Sequence, residues 1–493
     1  MTALPKPEVK KELLLRQAFQ LSSANLVAQT ARFIKNVVLA GLLGPQLFGL
    51  WNGFQVFLLY GANSHLGILH AINREIPLSR GRGESELMPQ LARAGLTVSL
   101  LNSTLVGTIL FVIGTFLDST TIESTALKLI AAVLIAQQLF LFYQFLLRAE
   151  DNFRLLSRVL VIAVVLELVA SIALVYWIGF NGIFYGLLIS NTTVLLICLV
   201  AERRVVSRLE LDFRLIKRLV RIGFPIMLTV LSYGLLTSID RVMVITFLGS
   251  ESLGYYAIGP LAITAIGSLP IAINQVLFPK SSERYGATDD PESLAGFVRI
   301  PTLAIAHAMG LVLGAAFILL PLITLILPKY APGIPAARIL FVGFYFFTLQ
   351  GPCAILLITI NKQMQYLARM LSALTLGIAL IGITLIYQLG IEGVAAAAGI
   401  TYISCAFAVI GFTVRRYLPV DYRRFRSFFG KILLPGAIAA VTAIVALQVQ
   451  LEGLLLSTLV QALVFIVIFG TTSFFVLRKE LTLQASIVWR QSK

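Results

Sequence analysis

The sequence predicts an all-α membrane protein: about fourteen transmembrane helices, arranged as two pseudo-symmetric six-helix lobes with an appended C-terminal helix pair. Three observations predict it. Apolar stretches of about twenty residues, each long enough to cross a hydrocarbon core about 30 Å thick, recur from Ala18 to Leu477. Lys and Arg fall almost wholly into alternate junctions between those stretches. Short motifs in the first half return in the second at a nearly constant offset.

The apolar stretches come first. Hydrophobic residues make up 58% of the 493 and charged residues 13%, with a mean hydropathy of +0.91, outside the range of soluble domains. The expected spans are 18–42, 47–72, 94–117, 126–147, 159–178, 183–201, 222–247, 254–279, 300–327, 339–360, 370–388, 394–413, 432–450 and 455–477. The first stretch ends at Gly44-Pro45 rather than at a small-residue cleavage site, so a retained helix is expected there. Cys198, Cys353 and Cys405 all lie inside spans, where packing is their expected role and a disulfide framework or metal cluster is not. The net charge of +16 does not point to nucleic acid, because the cations sit in short junctions rather than on one folded face.

The charge pattern sets the orientation. Of 39 Lys and Arg, 33 fall in the even-numbered junctions and at the two termini. Three lie at the odd-numbered side (Lys128, Lys329, Arg338) and three inside spans. By the positive-inside rule both termini are cytoplasmic.

The repeat sets the architecture. Leu43-Gly44-Pro45-Gln46-Leu47-Phe48-Gly49-Leu50-Trp51 matches Leu248-Gly249-Ser250-Glu251-Ser252-Leu253-Gly254-Tyr255-Tyr256 at an offset of 205. Gly179-Phe180-Asn181-Gly182 matches Gly390-Ile391-Glu392-Gly393 at an offset of 211. Two like-oriented six-helix lobes around a central cleft follow, with expected boundaries at 1–203 and 222–416. Between them, 204–221 reads as an amphipathic linker, with Leu211, Leu215 and Leu219 on one face, lying along the inner membrane surface. Residues 417–493 hold a further linker and the last two helices. Asp421-Tyr422-Arg423 opens that pair as Asp212-Phe213-Arg214 opens the second lobe.

Ionisable side chains inside spans cost roughly 2.5 to 3.5 kcal/mol each on an insertion scale, so they mark protein interiors or wet cavities. On span 1, Ser22, Asn25, Gln29, Arg32 and Asn36 make a polar stripe with Lys35 beside it. The stripe is read as cleft lining, against the alternative of hydrogen bonds to neighbouring helices. Span 7 repeats the design with Thr229, Ser232, Tyr233, Thr237, Asp240 and Arg241, and at the repeat offset Lys35 corresponds to Asp240. Those two are read as an outer gate, the alternative being that Asp240 neutralises Arg241 within its own lobe. Tyr60, Asn63, Gly67, His70 and Arg74 on span 2, and Gln137, Gln144 and Arg148 on span 4, form two stripes ending in cations. Arg74 and Arg148 serve either as inner-face anchors or as a docking place for an anionic headgroup. Glu167 on span 5 is read as a proton or Na⁺ coupling site or as a salt-bridge partner of Arg32. His307 and Asn274-Gln275 are assigned to packing.

No sizeable outer domain, phosphate-cradling glycine loop with a lysine, or metal-ligand spacing is present, so neither an enzyme nor an ATP-driven pump is expected. No cofactor is expected beyond an H⁺ or Na⁺ gradient.

Several of these residues carry a family resemblance. The corner at 43–51, Leu147-Arg148-Ala149-Glu150-Asp151-Asn152-Phe153 after span 4, Gly223-x-Pro225, Asp240-Arg241 and Leu248-Gly249 with Gly254-Tyr255 resemble the polysaccharide transporter family. This is the Wzx-like O-antigen and exopolysaccharide flippase branch of the multidrug/oligosaccharidyl-lipid/polysaccharide exporter superfamily. The resemblance implies an inner-membrane flippase that moves an undecaprenyl-pyrophosphate-linked oligosaccharide outward by alternating access, beside a polysaccharide polymerase and glycosyltransferases. Arg32, Lys35, Arg74, Arg148 and Arg241 outnumber Glu167 and Asp240, and a cationic cleft suits a pyrophosphate. An ion-coupled small-molecule or multidrug exporter, a lipid II-type flippase and a non-transporting scaffold are the alternatives. In the lipid II branch the appended pair is thought to hold the lipid tail, which by analogy extends to spans 13 and 14 here.

Overall fold

The computed structural model describes the chain apart from residues 1–6, 85, 119–120, 203–210, 419–421, 450 and 492–493, with side chains over 23–475 save 422–426 and a few elsewhere. Residues 204–210 of the expected linker and Asp421 lie outside the described residues, as do the side chains of Ser22 and Gln275. Among the described residues every regular element is helical. The chain forms two compact units, Met1–Gly234 and Leu235–Lys493.

In the first unit, α1 (Pro7–Gly61) is interrupted at Gly44, where φ is 71° and ψ 173°, a backbone region reached essentially only by glycine. Pro45 follows, and it lacks an amide donor and disfavours helical geometry in the residue before it. In the second unit α8 (Ile239–Tyr256) breaks at Gly249 with φ 86° and ψ 174°. The sequence match at offset 205 is therefore a match of backbone geometry. A Cβ at either glycine meets nothing within 4 Å, so the cost of alanine there is conformational alone. Gly44→Ala and Gly249→Ala are each expected to lose about 1 to 3 kcal/mol, read as a lower melting temperature of the purified protein. Unchanged melting of both variants would contradict this account of the corners.

The first unit continues with α2 (Ile68–Gly81), α3 (Leu87–Phe116), α4 (Ile122–Ala149), α5 (Phe153–Ile178), α6 (Gly182–Ala201) and α7 (Phe213–Leu236), the last two residues of α7 belonging to the second unit. Local side chains start three of these helices by accepting from otherwise unpaired amides. Thr121 accepts from Ser124 N, Asn152 from Leu155 N, and Asp212 from Arg214 N and Leu215 N. Asp212-Phe213-Arg214 is thus a helix start.

Leu215 and Leu219 of the expected linker do not lie on lipid as expected. Leu215 and Leu219 are buried in the core of the first unit with Ile68, Leu69, Ile72 and Ile76, and Arg218 bridges to Glu75 at 3.0 Å. Leu211 precedes the helix and is exposed. The reason is a close backbone contact: Gly223 packs directly on Gly67, where even a Cβ would collide, and this seats the helix on α2.

The second unit adds α9 (Ile258–Ile266), α10 (Ser268–Thr288), α11 (Ala295–Leu319), α12 (Ile334–Thr348), α13 (Gly351–Thr359), α14 (Gln363–Ile386), α15 (Gly390–Tyr417), α16 (Tyr422–Leu447) and α17 (Leu454–Gln491). The last two helices cover α11. Phe465 and Phe469 stack at 5.5 Å over notches left by Gly314 and Gly310, and His307 hydrogen-bonds Ser473. His307 is itself buried.

Among the described residues eleven segments are long and apolar enough to cross a membrane, or twelve if the bent pair Ile239–Tyr256 and Ile258–Ile271 counts as one. Length and composition alone thus do not give the expected fourteen. Two segments, 23–61 and 153–201, run to 39 and 49 residues and are interrupted at the positive-φ glycines Gly44 and Gly179, so each counts once although it is about twice the length of one crossing.

Candidate functional site

The site residues of the first unit are ordered by two neighbouring stripes on α1. Ala24, Ala28, Ala31 and Lys35 follow a 4-3-4 spacing and are all buried. The alanines let α5 approach, with Val164 and Leu168 packed against Ala28 and Ala31. Lys35, one turn further on, meets the carboxylate of Glu167 in a hydrogen-bonded salt bridge. Their side chains are 4% and 17% exposed, so each charge requires the other. The ammonium also lies 5.4 Å from the Trp51 ring centroid, within cation–π range. Glu167 therefore bonds Lys35 rather than Arg32, because Lys35 is the cation on the face that α5 covers.

The second stripe, Asn25, Gln29, Arg32 and Asn36, is rotated by one residue, about 100°, from the first. Arg32 is exposed, and Asn25, Gln29 and Asn36 are half-buried. Gln29 Oε1 and Asn36 Oδ1 are buried acceptors without a hydrogen-bond partner among the described residues. Burying an unpaired acceptor is costly, so two amide oxygens of this stripe are groups that the described residues do not satisfy, as is the indole N–H of Trp51 further along α1.

In the second unit, Asp240 occupies the first turn of α8, where the helix dipole favours a carboxylate. It is 2% exposed, accepting from the Tyr256 hydroxyl at 2.6 Å and from the Arg241 amide at 2.8 Å. The Arg241 guanidinium turns back to Thr237 O at 3.2 Å. Lys35 lies nine residues before Gly44 and Trp51 seven after it; Asp240 and Tyr256 bear the same relation to Gly249. Each corner thus folds an aromatic ring back onto a buried charge, positive in one unit and negative in the other. Lys35 and Asp240 each find a partner within their own unit.

The stripes on spans 2 and 4 converge. Between α1 and α2 the chain unwinds over 62–67, with Leu66 and Gly67 at positive φ and the Gly67 amide donating to His65 Nδ1 at 3.0 Å. His65 and His70 meet edge-on at 5.5 Å, and both meet Phe145 of α4. The Arg148 guanidinium lies over the same ring at 5.6 Å. Arg148 and Arg74 are both exposed. At the foot of α2, Arg80 bridges to Asp151 at 2.6 Å and donates to Ala149 O at 3.1 Å. Nearby, burial and the Glu202 carboxylate push the Glu150 carboxyl up, with Arg80 opposing.

Sequence reasoning missed Trp51, Tyr256, His65 and Phe145. The first two were legible, since the repeat places an aromatic residue seven positions after each corner glycine. His65 and Phe145 carry no such signal, because the unwinding that joins them depends on the Gly67–Gly223 contact. On α4, Gln138 rather than Gln137 is the buried glutamine, with both amide atoms lacking a partner among the described residues.

A family model described as polysaccharide biosynthesis protein matches residues 38–329, more than half of the chain. The chain belongs to the polysaccharide biosynthesis protein family. No curated protein sequence matches it. Among solved structures, this polysaccharide biosynthesis protein is similar to the lipid II flippase MurJ in an inward closed conformation. That match has 13% identity and a TM-score of 0.72, covering 94% of this chain and 99% of that one. It is similar to an inward-facing multidrug resistance MATE family transporter of the MOP superfamily at 18% identity and TM-score 0.62, covering 79% and 94%. A MOP superfamily transporter from Pyrococcus furiosus, described by a reverse polarity of its binding pocket, matches at 19% identity and TM-score 0.59, covering 81% and 95%. The family member thus has the fold of the MOP superfamily transporters and is a multi-pass membrane protein.

Proposed function

We propose that the protein is a flippase for an undecaprenyl-pyrophosphate-linked oligosaccharide, moving it from the cytoplasmic to the outer leaflet of the inner membrane by alternating access. The observation that carries this reading is the α1 stripe: Arg32 is exposed beside half-buried Asn25, Gln29 and Asn36, while the nearby Glu167 carboxylate is engaged by Lys35. A cation flanked by unsatisfied amides suits an anionic, hydroxyl-rich ligand, since guanidinium–phosphate bonds are directional and charge-assisted. Family membership supplies the polysaccharide context, and a lipid II flippase with the same fold supports a lipid-linked substrate. In one similar MOP superfamily transporter a reverse polarity of the binding pocket is described as suggesting a different function, which makes the sign of this stripe informative.

On this reading Arg32 binds the pyrophosphate in the first unit, where Arg74 with Arg148 admits it from the inner leaflet, and Arg241 is the candidate anion contact of the second unit. The Lys35–Glu167 pair couples transport to a proton or sodium gradient, and Asp240 is the candidate gate residue of the second unit. Glycosyltransferases supply the substrate and a polymerase consumes it. Reading 23–61 and 153–201 as two crossings each, and the bent pair as one, supports fourteen spans with both termini cytoplasmic. Arg32→Ala is expected to slow flipping about tenfold or more, the worth of a charged hydrogen bond, with partial recovery in Arg32→Lys. Flipping by purified Arg32→Ala at the wild-type rate would remove the stripe from the substrate path.

A further inference from the structure

A buried polar corner lies in the first unit where the chain unwinds between α1 and α2, apart from the α1 stripe and the Lys35–Glu167 pair. Three elements bring it together. Gly61, the last residue of α1, packs on Leu134 of α4, and Gly95 of α3 packs on both Ile72 of α2 and Phe142 of α4. Gln138 stands about one helical turn from Leu134 and from Phe142, which puts it at the level of the unwound residues 62–67. Gly107 lies against Ala131 as Gly95 lies against Phe142, and this antiparallel register sets Ser99 opposite Gln138. Asn102 of α3 holds the break by donating to Ser64 O at 2.9 Å.

Direction agrees with level. At 100° per residue, Ser99 points between Asn102, which meets the break, and Gly107, which meets α4. Gln138 points between Leu134, which meets the end of α1, and Ile135, which meets α3. Ser99 and Gln138 are 0% and 1% exposed. Ser64 Oγ, Ser99 Oγ and both amide atoms of Gln138 are buried without a hydrogen-bond partner among the described residues, so none of the three bonds another. Their neighbours are engaged elsewhere: Asn63 donates to Leu59 O, Ser103 to Leu100 O, and His65 accepts from the Gly67 amide.

The corner is uncharged. Along α2, α3 and α4 the nearest carboxylate is Glu75, seven residues past Ile68 and bridged to Arg218. Arg74 and Arg93 stand six residues from Ile68 and Ser99, about 9 Å along their helices. The helix that closes at Gly61 turns the negative end of its dipole toward the break, which favours a cation over an anion. Unwound stretches of membrane helices hold ions through neutral oxygens in this way. A divalent ion would call for carboxylate ligands, so the charge that fits is a single one.

We infer that this corner binds a monovalent metal cation through Ser64 Oγ, Ser99 Oγ and Gln138 Oε1, with water completing the shell and accepting from Gln138 Nε2. The ion ties the unwound segment to α3 and α4. Na⁺ is the probe.

The test melts the purified full chain in NaCl and in choline chloride at equal ionic strength. Na⁺ is expected to raise the melting temperature, as any ligand of the folded state does. Ser64→Ala, Ser99→Ala and Gln138→Met should each melt like the wild type in choline, because the groups removed make no hydrogen bond to the described residues. Each should need about tenfold or more Na⁺ for the same rise, the worth of one hydrogen bond to a charged group. A purely structural role would instead lower melting in both salts. Lys35→Met/Glu167→Met should keep the rise. Equal melting of the wild type in the two salts, a Na⁺ response that all three variants retain, or one that Lys35→Met/Glu167→Met abolishes would each overturn the proposal. Flipping of lipid-linked oligosaccharide has no part in these readouts, so they stand apart from the substrate assignment.

Discussion

Glu167→Gln is expected to destabilise the protein by about 3 to 5 kcal/mol, the usual consequence of leaving one partner of a buried ion pair without the other. Lys35 is buried between α5 and the Trp51 ring, so its ammonium has little access to another counter-charge once the carboxylate is gone. Lys35→Met alone should be similarly harmful, because it strands Glu167. The double variant Lys35→Met/Glu167→Met removes both charges and places two flexible apolar side chains in a helix seam. Its melting should return to within about 1 kcal/mol of the wild type. This pattern separates scaffold from machine. On the coupling proposal the double variant folds, yet its transport no longer responds to a proton or sodium gradient; a gradient response equal to the wild type's would leave the pair a structural one. Charge exchange gives a second reading. Lys35→Glu/Glu167→Lys should outperform either single reversal in melting, whereas rescue by Lys35→Glu/Asp240→Lys would instead favour the gate pairing expected from the repeat.

The second large effect is expected at the unwound segment. Gly67→Ala faces two penalties at once. Its φ of 83° costs a side-chain-bearing residue about 1 to 2 kcal/mol, and its Cβ would run into the backbone of Gly223 and Phe224, an overpacking worth about 1 to 3 kcal/mol more. Gly223→Ala faces only the second penalty, since its Cβ meets the Gly67 carbonyl but Gly223 is not among the positive-φ glycines. Melting should therefore fall in the order wild type, Gly223→Ala, Gly67→Ala. The double variant should be less than additive, because both changes press on one contact. Equal melting of the two single variants would show that backbone conformation contributes nothing at Gly67.

Both predictions concern features that the sequence exposes unequally. The corners were legible because Gly44 and Gly249 sit in matching strings, and a glycine before a proline or between helical stretches has few other readings. The polar stripe on α1 was legible for the same reason that helices are: Asn25, Gln29, Arg32 and Asn36 recur at helical spacing. Lys35 differs from Arg32 by three positions, which is one turn less about 60°. That angle decides whether the side chain enters the seam with α5 or the neighbouring stripe. Sequence spacing put the two cations together, and the packing of Ala24, Ala28 and Ala31 separated them. The linker went the other way. Its amphipathic face was read correctly, but whether lipid or protein covers Leu215 and Leu219 depends on a contact between glycines more than 150 residues apart. The span count suffers from continuity: 23–61 is broken only at Gly44 and 153–201 only by a short 3-10 turn that opens at Gly179, so a criterion of length alone counts once each segment that charge alternation is expected to divide.

The most direct test of the central claim is a leaflet-accessibility assay on the purified protein in liposomes, with a fluorescent polyprenyl-pyrophosphate oligosaccharide placed in both leaflets and a membrane-impermeant quencher outside. The account predicts that wild-type protein brings the inner-leaflet label within reach of the quencher. Arg32→Ala should do so about tenfold or more slowly, and a cationic dye should not be moved. Quenching confined to the outer-leaflet label, in vesicles that expel the cationic dye, would contradict it.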